Sequence, residues 1–255
     1  MTLLITGGDG NLGRELVKLL PDSHHPTRQD LDITSSGALQ EYINRNAVDS
    51  VIHCAANTSV RDCELHRHEA YITNVQGTLN VCSSLSDNWL PRFHSPSQSH
   101  RPHLVYVSTA CIFPGDSSDQ SYSEDDVPYP KNFYAMTKLL GEEVVKSWTR
   151  STQCESLIVR TNFVERGKWK YPKAFVDRYG TYLYADQVAK AITDLYWGRT
   201  TGLIHVCGDK RMSMYELARL QDSNVEPTTL KDYVGPQLTV NMSLTSEKIR
   251  PIPLA

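Results

Sequence analysis

Tyr134 and Lys138 are the residues whose types and spacing most directly predict chemistry. They form a Tyr-x-x-x-Lys motif at the start of a predicted helix, and an i,i+4 spacing places both side chains on one helix face. A free tyrosine has a pKa of about 10, which is too high for efficient proton exchange at neutral pH. Because a lysine ammonium beside the phenol favours the phenolate, the motif predicts a tyrosine that exchanges a proton with a substrate.

Two hydroxyl residues, Ser108 and Thr109, lie upstream at the end of the apolar run LVYVS. Open parallel sheets bind their ligands at the carboxyl ends of the strands. A hydroxyl group there can donate a hydrogen bond to a carbonyl oxygen and polarise it. We therefore predict Thr109, Tyr134 and Lys138 as a catalytic set that acts on a carbonyl group or its alcohol.

A glycine-rich loop follows the first apolar run, where residues 6–13 read TGGDGNLG. Gly7 permits a tight turn, Gly10 allows a pyrophosphate to approach the backbone, and Gly13 allows the next helix to pack close to the strand. The helix N-terminus adds free N–H groups and the positive end of its dipole. The strand, loop and helix together predict a dinucleotide site for NADP or NAD.

The region after the loop bears on the choice between these cofactors. No acidic residue stands where the ribose carboxylate of an NAD site would first be sought, and Arg28 could pair with a 2′-phosphate. This pattern favours NADPH slightly, although a surface arginine is an equally good interpretation. Asp32 could accept a hydrogen bond from the adenine amino group, or it could cap a helix that begins near Ser35.

Alternating apolar runs and helical patterns predict the framework that positions these residues. Predicted strands lie at residues 2–6, 48–55, 104–108, 157–161 and 203–206, with a further weak strand within 22–33. Predicted helices lie at residues 11–20, 64–85, 134–148, 185–197 and 213–220. This alternation indicates an α/β fold with a doubly wound parallel sheet, the Rossmann architecture. We predict a Rossmann domain over residues 1–161, to which residues 181–199 return, and a small C-terminal substrate-binding lobe over residues 162–255.

The composition narrows the classes of function. The 255 residues are 40% hydrophobic and carry a net charge of −3, so a nucleic-acid partner is not expected. The six cysteines form no CxxC pair, which argues against a zinc site, and we predict no metal site. The chain has no run long enough for a membrane span and no signal-peptide pattern, so we expect a cytoplasmic protein. Residues 86–103, which are polar and rich in proline and histidine, are predicted to form a surface loop.

The motifs together resemble the extended short-chain dehydrogenase/reductase superfamily, and within it the dTDP-4-dehydrorhamnose reductase family. The resemblance covers nearly the whole chain, in the stretches TGGDGNLGREL, RQDLDIT, VDSVIHCAANTSVRDCE, VYVSTACIFPG, YSEDDVPYPKNFYAMTKLLGEE and GLIHVCGDKRMSMYELARL. It implies reduction of a nucleotide-linked 4-keto-6-deoxy sugar by NADPH or NADH. It is also compatible with a homodimer.

The same resemblance implies roles for individual residues. Those implied to bind the cofactor, together with Arg28, are Gly7, Gly10, Asn11, Leu12, Asp32, Ile33, Ala55, Ala56, Asn57, Lys138 and Thr161. Those implied to face the substrate are Thr58, Val60, Thr109 and Asn162.

Two other functions stay open at the level of sequence. The first is a sugar-nucleotide epimerase that keeps NAD bound and recycles the hydride, which Ala110 after the strand-end hydroxyl would fit. The second is a non-catalytic NADP-binding subunit that regulates a partner enzyme. The intact Thr109, Tyr134 and Lys138 set argues against the second alternative.

Overall fold

A parallel sheet with helices on both faces forms the body of the protein, in a computed structural model that describes residues 1–89, 101–116, 119–152, 154–167 and 169–255. The strands are β1 (Leu3–Thr6), β2 (Ser50–His53), β3 (His103–Thr109), β4 (Glu155–Thr161), β5 (Phe163–Val164), β6 (Lys173–Phe175), β7 (Tyr179–Gly180), β8 (Leu183–Tyr184), β9 (Gly202–Val206), β10 (Met212–Ser213), β11 (Glu226–Thr228) and β12 (Asn241–Met242). The α-helices are α1 (Asn11–Leu19), α2 (Ser36–Arg45), α3 (Val60–Leu65), α4 (Arg67–Tyr71), α5 (Gly77–Trp89), α6 (Phe133–Thr152), α7 (Ala185–Trp197) and α8 (Met214–Gln221).

The main sheet has the strand order β1-β2-β3-β4-β9, and every pair in it is parallel. Helices cover both faces of this sheet, so its strands are buried on both sides and are mostly apolar along their length. Helices α1 and α7 pack on one face, where Leu12, Leu16 and Ile192 join the core. Helices α2, α5 and α6 supply the core of the other face. The predicted doubly wound α/β fold is confirmed.

The chain reverses its direction of winding at β1. After α1 it returns to the free edge of β1, where His24 forms a single parallel bridge with Leu4. The weak strand expected within residues 22–33 is thus reduced to this bridge. The chain then crosses to the other side of β1 to form β2. Such a switch point opens a crevice at the carboxyl ends of the strands, and open α/β sheets bind ligands there.

The long helix predicted over residues 64–85 is divided in the structure. Helices α3 and α4 are separated at His66, whose backbone has φ −124° and ψ 61°. A π-helical turn, Ile72–Gln76, then leads into α5. The prediction was wrong about continuity because apolar spacing does not reveal a local change of helical pitch. Helix α2 begins at Ser36, close to the helix start expected near Ser35, and its buried residues are Leu39 and Ile43.

Small sheets and α8 form the C-terminal part of the chain. Strand β7 lies between β10 and β12, β6 pairs with β11, and β5 pairs with β8. Strand β9 and helix α7 fall within residues 162–255 but belong to the main sheet and its helical layer. That the remaining elements bind the substrate stays a prediction.

Two further expectations concern the outside of the molecule. No helix in the described ranges is long and apolar enough to cross a membrane. The surface loop predicted at residues 86–103 lies mostly outside the described residues, because 90–100 are not among them, and its first residues continue α5 to Trp89.

Candidate active site

A cavity of about 1120 Å³ opens at the carboxyl edge of the sheet, across the switch point. Its walls contain all but one of the predicted site residues, namely Gly7, Gly10, Asn11, Leu12, Arg28, Asp32, Ile33, Ala55, Ala56, Asn57, Thr58, Thr109, Tyr134, Lys138, Thr161 and Asn162. They come from parts of the chain that are far apart in sequence, and the fold brings them to one space.

The glycine loop has the close packing that its sequence predicts. Gly7 has φ +71°, a left-handed conformation that favours glycine, and its carbonyl accepts a hydrogen bond of 3.0 Å from Gly10 N. A Cβ on Gly13 would overlap the Gly7 carbonyl oxygen and lie 2.7 Å from Gly8 Cα. Arg14 holds the loop from outside, since it donates to the Asp9 carbonyl at 2.8 Å. The loop therefore presents bare backbone at the N-terminus of α1, where a pyrophosphate fits.

Arg28 and Asp32 lie at the other end of this wall. Arg28 is exposed at the cavity rim, where a 2′-phosphate could reach it. Asp32 Oδ1 accepts a hydrogen bond of 2.9 Å from Thr34 N, and this bond is the main reason why the pKa of Asp32 is lowered. Asp32 is thus an anion that organises the turn before α2. Ser35 caps that helix without a side-chain hydrogen bond.

Thr109 and Tyr134 meet at the centre of the cavity. Thr109 Oγ1 accepts a hydrogen bond of 3.2 Å from Cys111 N, which leaves the hydroxyl proton of Thr109 free to be donated. Burial is the main influence on Tyr134 and raises its pKa, while a hydrogen bond with Thr109 acts in the opposite direction. The sequence predicted a lowered tyrosine pKa, and the structure shows the opposite direction because the phenol is desolvated. Tyr134 therefore holds its proton at neutral pH, which suits a proton donor.

Lys138 lies deep in the same wall and is 4% exposed. Its Nζ lies 4.2 Å from the centre of the Tyr106 ring. Burial lowers the pKa of Lys138 to about 8, while the fields of Cys54 and Glu142 oppose this shift. The ammonium is therefore the majority form below about pH 8, and Lys138 can offer a positive charge or donated hydrogen bonds to a ligand at neutral pH.

Thr161 provides a second sign that the cavity fits a polar ligand. The residue is 2% exposed, and its Oγ1 has no hydrogen-bond partner among the described residues. Buried hydroxyl groups without partners are uncommon in folded proteins. Because Thr161 lies beside Thr109 in the register of β3 and β4, the two residues line the same end of the cavity. The bare glycine loop and this hydroxyl group both fit a bound dinucleotide.

Comparison with known proteins gives the family of the chain. Residues 1–236 match the family model described as the RmlD substrate binding domain. The chain belongs to this family. The predicted resemblance to the dTDP-4-dehydrorhamnose reductases is therefore confirmed.

Members and structural neighbours of the family match most of the chain. The spore coat polysaccharide biosynthesis protein SpsK of Bacillus subtilis is 28% identical over 250 residues, which cover 89% of this chain and 81% of that protein. The dTDP-4-keto-6-deoxy-D-glucose reductase of Streptomyces niveus is 28% identical over 235 residues, covering 85% of this chain and 76% of that protein. The dTDP-4-dehydrorhamnose reductase of Bacillus anthracis, solved in complex with NADP, has the same fold with a TM-score of 0.84 at 24% identity, covering 99% of this chain and 95% of that one.

Asn74 is a structural residue of the site to which the sequence analysis gave no role. It lies in the π-helical turn, and its Oδ1 accepts a hydrogen bond of 2.7 Å from Asn57 N. Its Nδ2 donates to the Asn57 carbonyl and to Thr137 Oγ1, both at 2.9 Å. It therefore joins the loop after β2 to the helix that carries Tyr134. The signal available in the sequence was a polar asparagine within an apolar helical pattern.

Val60 is the predicted site residue that the structure does not place on the cavity wall. It begins α3, whereas Asp62 and His66 of this region face the cavity. Val60 precedes Asp62 by two residues, which is about 200° around a helix, and this offset turns it away. Asp62 accepts a hydrogen bond from Asn57 Nδ2. The acidic wall that Asp62 and Glu69 form was not predicted, because the apolar period of the segment does not show the helix break at His66 between them.

Proposed function

We propose that the protein is an NADPH-dependent reductase of a nucleotide-linked 4-keto-6-deoxy sugar. The observation that carries this proposal is the convergence of Thr109, Tyr134 and Lys138 with the glycine loop on one cavity. The substrate class is supported by the Streptomyces niveus relative, which is named for a dTDP-4-keto-6-deoxy sugar. The homodimer that the resemblance implies stays a prediction.

In this proposal the chain holds the cofactor through backbone and hydroxyl groups along one side of the cavity. Gly7, Gly10 and the N-terminus of α1 would hold the pyrophosphate, and Lys138 and Thr161 would hold the nicotinamide half. Bound there, the cofactor supplies the hydride that reduces the carbonyl carbon.

The proton comes from the protein. Tyr134 donates its hydroxyl proton to the carbonyl oxygen as that oxygen gains negative charge. Thr109 donates a hydrogen bond to the same oxygen through its hydroxyl proton, while its own oxygen accepts from Cys111 N. The positive charge of Lys138 favours the tyrosinate left after the transfer.

An assay of the purified protein with dTDP-4-keto-6-deoxy-glucose tests the proposal. We expect NADPH oxidation that depends on the sugar nucleotide, with one alcohol product per cofactor oxidised. Bound NAD that is recycled without net oxidation would instead indicate an epimerase. Tight NADPH binding without turnover of any 4-keto sugar nucleotide would contradict the reductase proposal.

Arg28→Ala is expected to reduce the preference for NADPH over NADH. Loss of a charge-assisted contact to the 2′-phosphate should raise the Kd of NADPH about 10-fold, which corresponds to about 1.4 kcal/mol. The Kd of NADH should be unchanged, and fluorescence titration measures both. Arg45→Ala is the matched control, because Arg45 is also exposed but lies outside the cavity wall. An equal loss for both cofactors would remove the proposed 2′-phosphate contact.

A further inference from the structure

A buried ion pair lies directly behind the candidate active site, and Lys146 Nζ lies 3.7 Å from its carboxylate. Glu142 of α6 and Arg160 of β4 form a bidentate pair, with Nε–Oε1 at 3.0 Å and Nη2–Oε2 at 2.8 Å. Glu142 is 0% exposed and Arg160 is 2% exposed. Ser108 at the end of β3 donates a hydrogen bond of 2.6 Å to Glu142 Oε1. The three side chains connect α6, β3 and β4 at one point.

Each of the three residues stands next to a residue of the site. Ser108 immediately precedes Thr109, Arg160 immediately precedes Thr161, and Glu142 follows Lys138 by one helical turn. The way in which β3, β4 and α6 are placed relative to one another decides whether the Thr109 hydroxyl and the Tyr134 phenol reach the same oxygen atom of a substrate. The ion pair therefore links the three elements close to the residues whose relative placement matters.

Stability alone gives a weak reason for charged residues at this place. Replacing a buried ion pair with apolar side chains of similar volume is often neutral or stabilising. The two planar groups instead fix the orientation of the Arg160 and Glu142 side chains, because both hydrogen bonds form only when the planes are aligned. The fork is fixed further by His205, whose Nε2 lies 3.5 Å from Arg160 Nη1. His205 Nδ1 lies 2.9 Å from the Thr245 carbonyl, so Nδ1 carries the proton and Nε2 accepts.

The same carboxylate acts on the charge of Lys138. The other ionisable groups facing Lys138 are His53 and Cys54 from the end of β2 and Tyr106 from β3, while Tyr134 precedes it by one turn of the same helix. The cations Arg160 and Lys146 lie on the carboxylate of Glu142. Burial lowers the pKa of His53 to about 3 and raises the pKa of Cys54 to about 12, so both are neutral at pH 7. The pKa values of Tyr106 and Tyr134 are also raised by burial. Among these described neighbours, Glu142 is thus the anion.

We propose that Glu142 and Arg160 are positioning residues that hold Thr109, Tyr134 and Lys138 in one geometry. Neither residue is among those that line the cavity, so neither is expected to touch substrate or cofactor. The role in catalysis rests on the proposed reductase function. The effect on Lys138 does not depend on the identity of the substrate.

The double variant Glu142→Met/Arg160→Met tests the proposal, because it removes both charges and keeps apolar volume. We expect it to fold and to bind NADPH with a Kd within about 3-fold of the wild-type value. Its kcat should fall about 10-fold or more with little change in KM, as displaced catalytic groups produce. The Lys138 resonance of ¹³C-dimethylated protein, assigned with Lys138→Arg, should titrate at lower pH. Lys190→Met/Asp194→Met removes an exposed pair at 3.0 Å and should change neither quantity.

A folded double variant with wild-type kcat and an unchanged Lys138 titration would overturn the proposal. If the double variant does not fold, Arg160→Lys keeps the positive charge and removes the bidentate contact with Glu142. We then expect kcat to fall several-fold while the Kd of NADPH is retained, and an unchanged kcat would overturn the positioning role. If the wild-type protein reduces no sugar nucleotide, the reductase function fails, and the Lys138 titration still decides whether Glu142 sets its charge.

Discussion

Tyr134→Phe is expected to lower kcat for keto-sugar reduction by about 10² to 10⁴-fold, the range that a positioned general acid contributes. Phenylalanine keeps the ring and removes the proton that the carbonyl oxygen needs. The Kd of NADPH should stay at the wild-type value, because the ring still fills its place beside Thr109 and Cys111. Stopped-flow absorbance of NADPH under single-turnover conditions measures the chemical step directly.

Tyr129→Phe provides the matched control for this experiment. Tyr129 precedes the same helix but is 64% exposed and lies outside the cavity wall, so its hydroxyl should be dispensable. A Tyr134→Phe protein with unchanged single-turnover rate would remove Tyr134 from the mechanism. Loss of both rate and cofactor binding would instead show that the phenol is needed to build the site.

Gly13→Ala should abolish measurable binding of either cofactor, with the Kd raised about 100-fold or more. The new methyl group would overlap the Gly7 carbonyl oxygen and lie 2.7 Å from Gly8 Cα, so the first turn of α1 must move away from the loop. The pyrophosphate then loses both the N–H groups and the positive helix end. Because α1 packs on the sheet through Leu12 and Leu16, the displacement should also lower Tm by several degrees.

Gly37→Ala separates this effect from the general effect of a glycine substitution. A Cβ at Gly37 meets nothing within 4 Å, and the residue lies in the first turn of α2. The change should therefore be neutral or raise the free energy of unfolding by about 0.5–1 kcal/mol, with the Kd of NADPH unchanged. Normal cofactor binding by Gly13→Ala would contradict the proposed role of the loop.

The parts of the site that the sequence predicted are those in which function depends on local spacing. The glycine loop and the Tyr134–Lys138 pair each lie within one strand–loop–helix or one helix, so their geometry follows from secondary structure alone. Thr109 could be added because parallel strands end at a common edge. These groups line one cavity in the structure.

The parts that the sequence did not predict depend on packing between distant segments. The direction of the Tyr134 pKa depends on how deeply the phenol is buried, which no motif encodes. Glu142 and Arg160 are 18 positions apart, and either one alone would be interpreted as an ordinary surface charge. Val60 does not line the cavity because of its position around the short helix α3, which the sequence does not show. Asn74 received no role because a single asparagine in a helical pattern is a weak signal.

The π-helical turn between α4 and α5 has a consequence for the permitted length of this segment. A π turn holds an additional residue compared with an α turn, so the residues of α5 lie about 100° behind the positions that an uninterrupted α-helix of the same sequence would give them. Removing one residue from Ile72–Gln76 would let the turn wind as an α-helix and would leave Val81 and Leu85 facing the sheet they now cover. A single-codon deletion in this turn that keeps Asn74 should therefore disturb the packing of α5 less than a deletion within α5 itself.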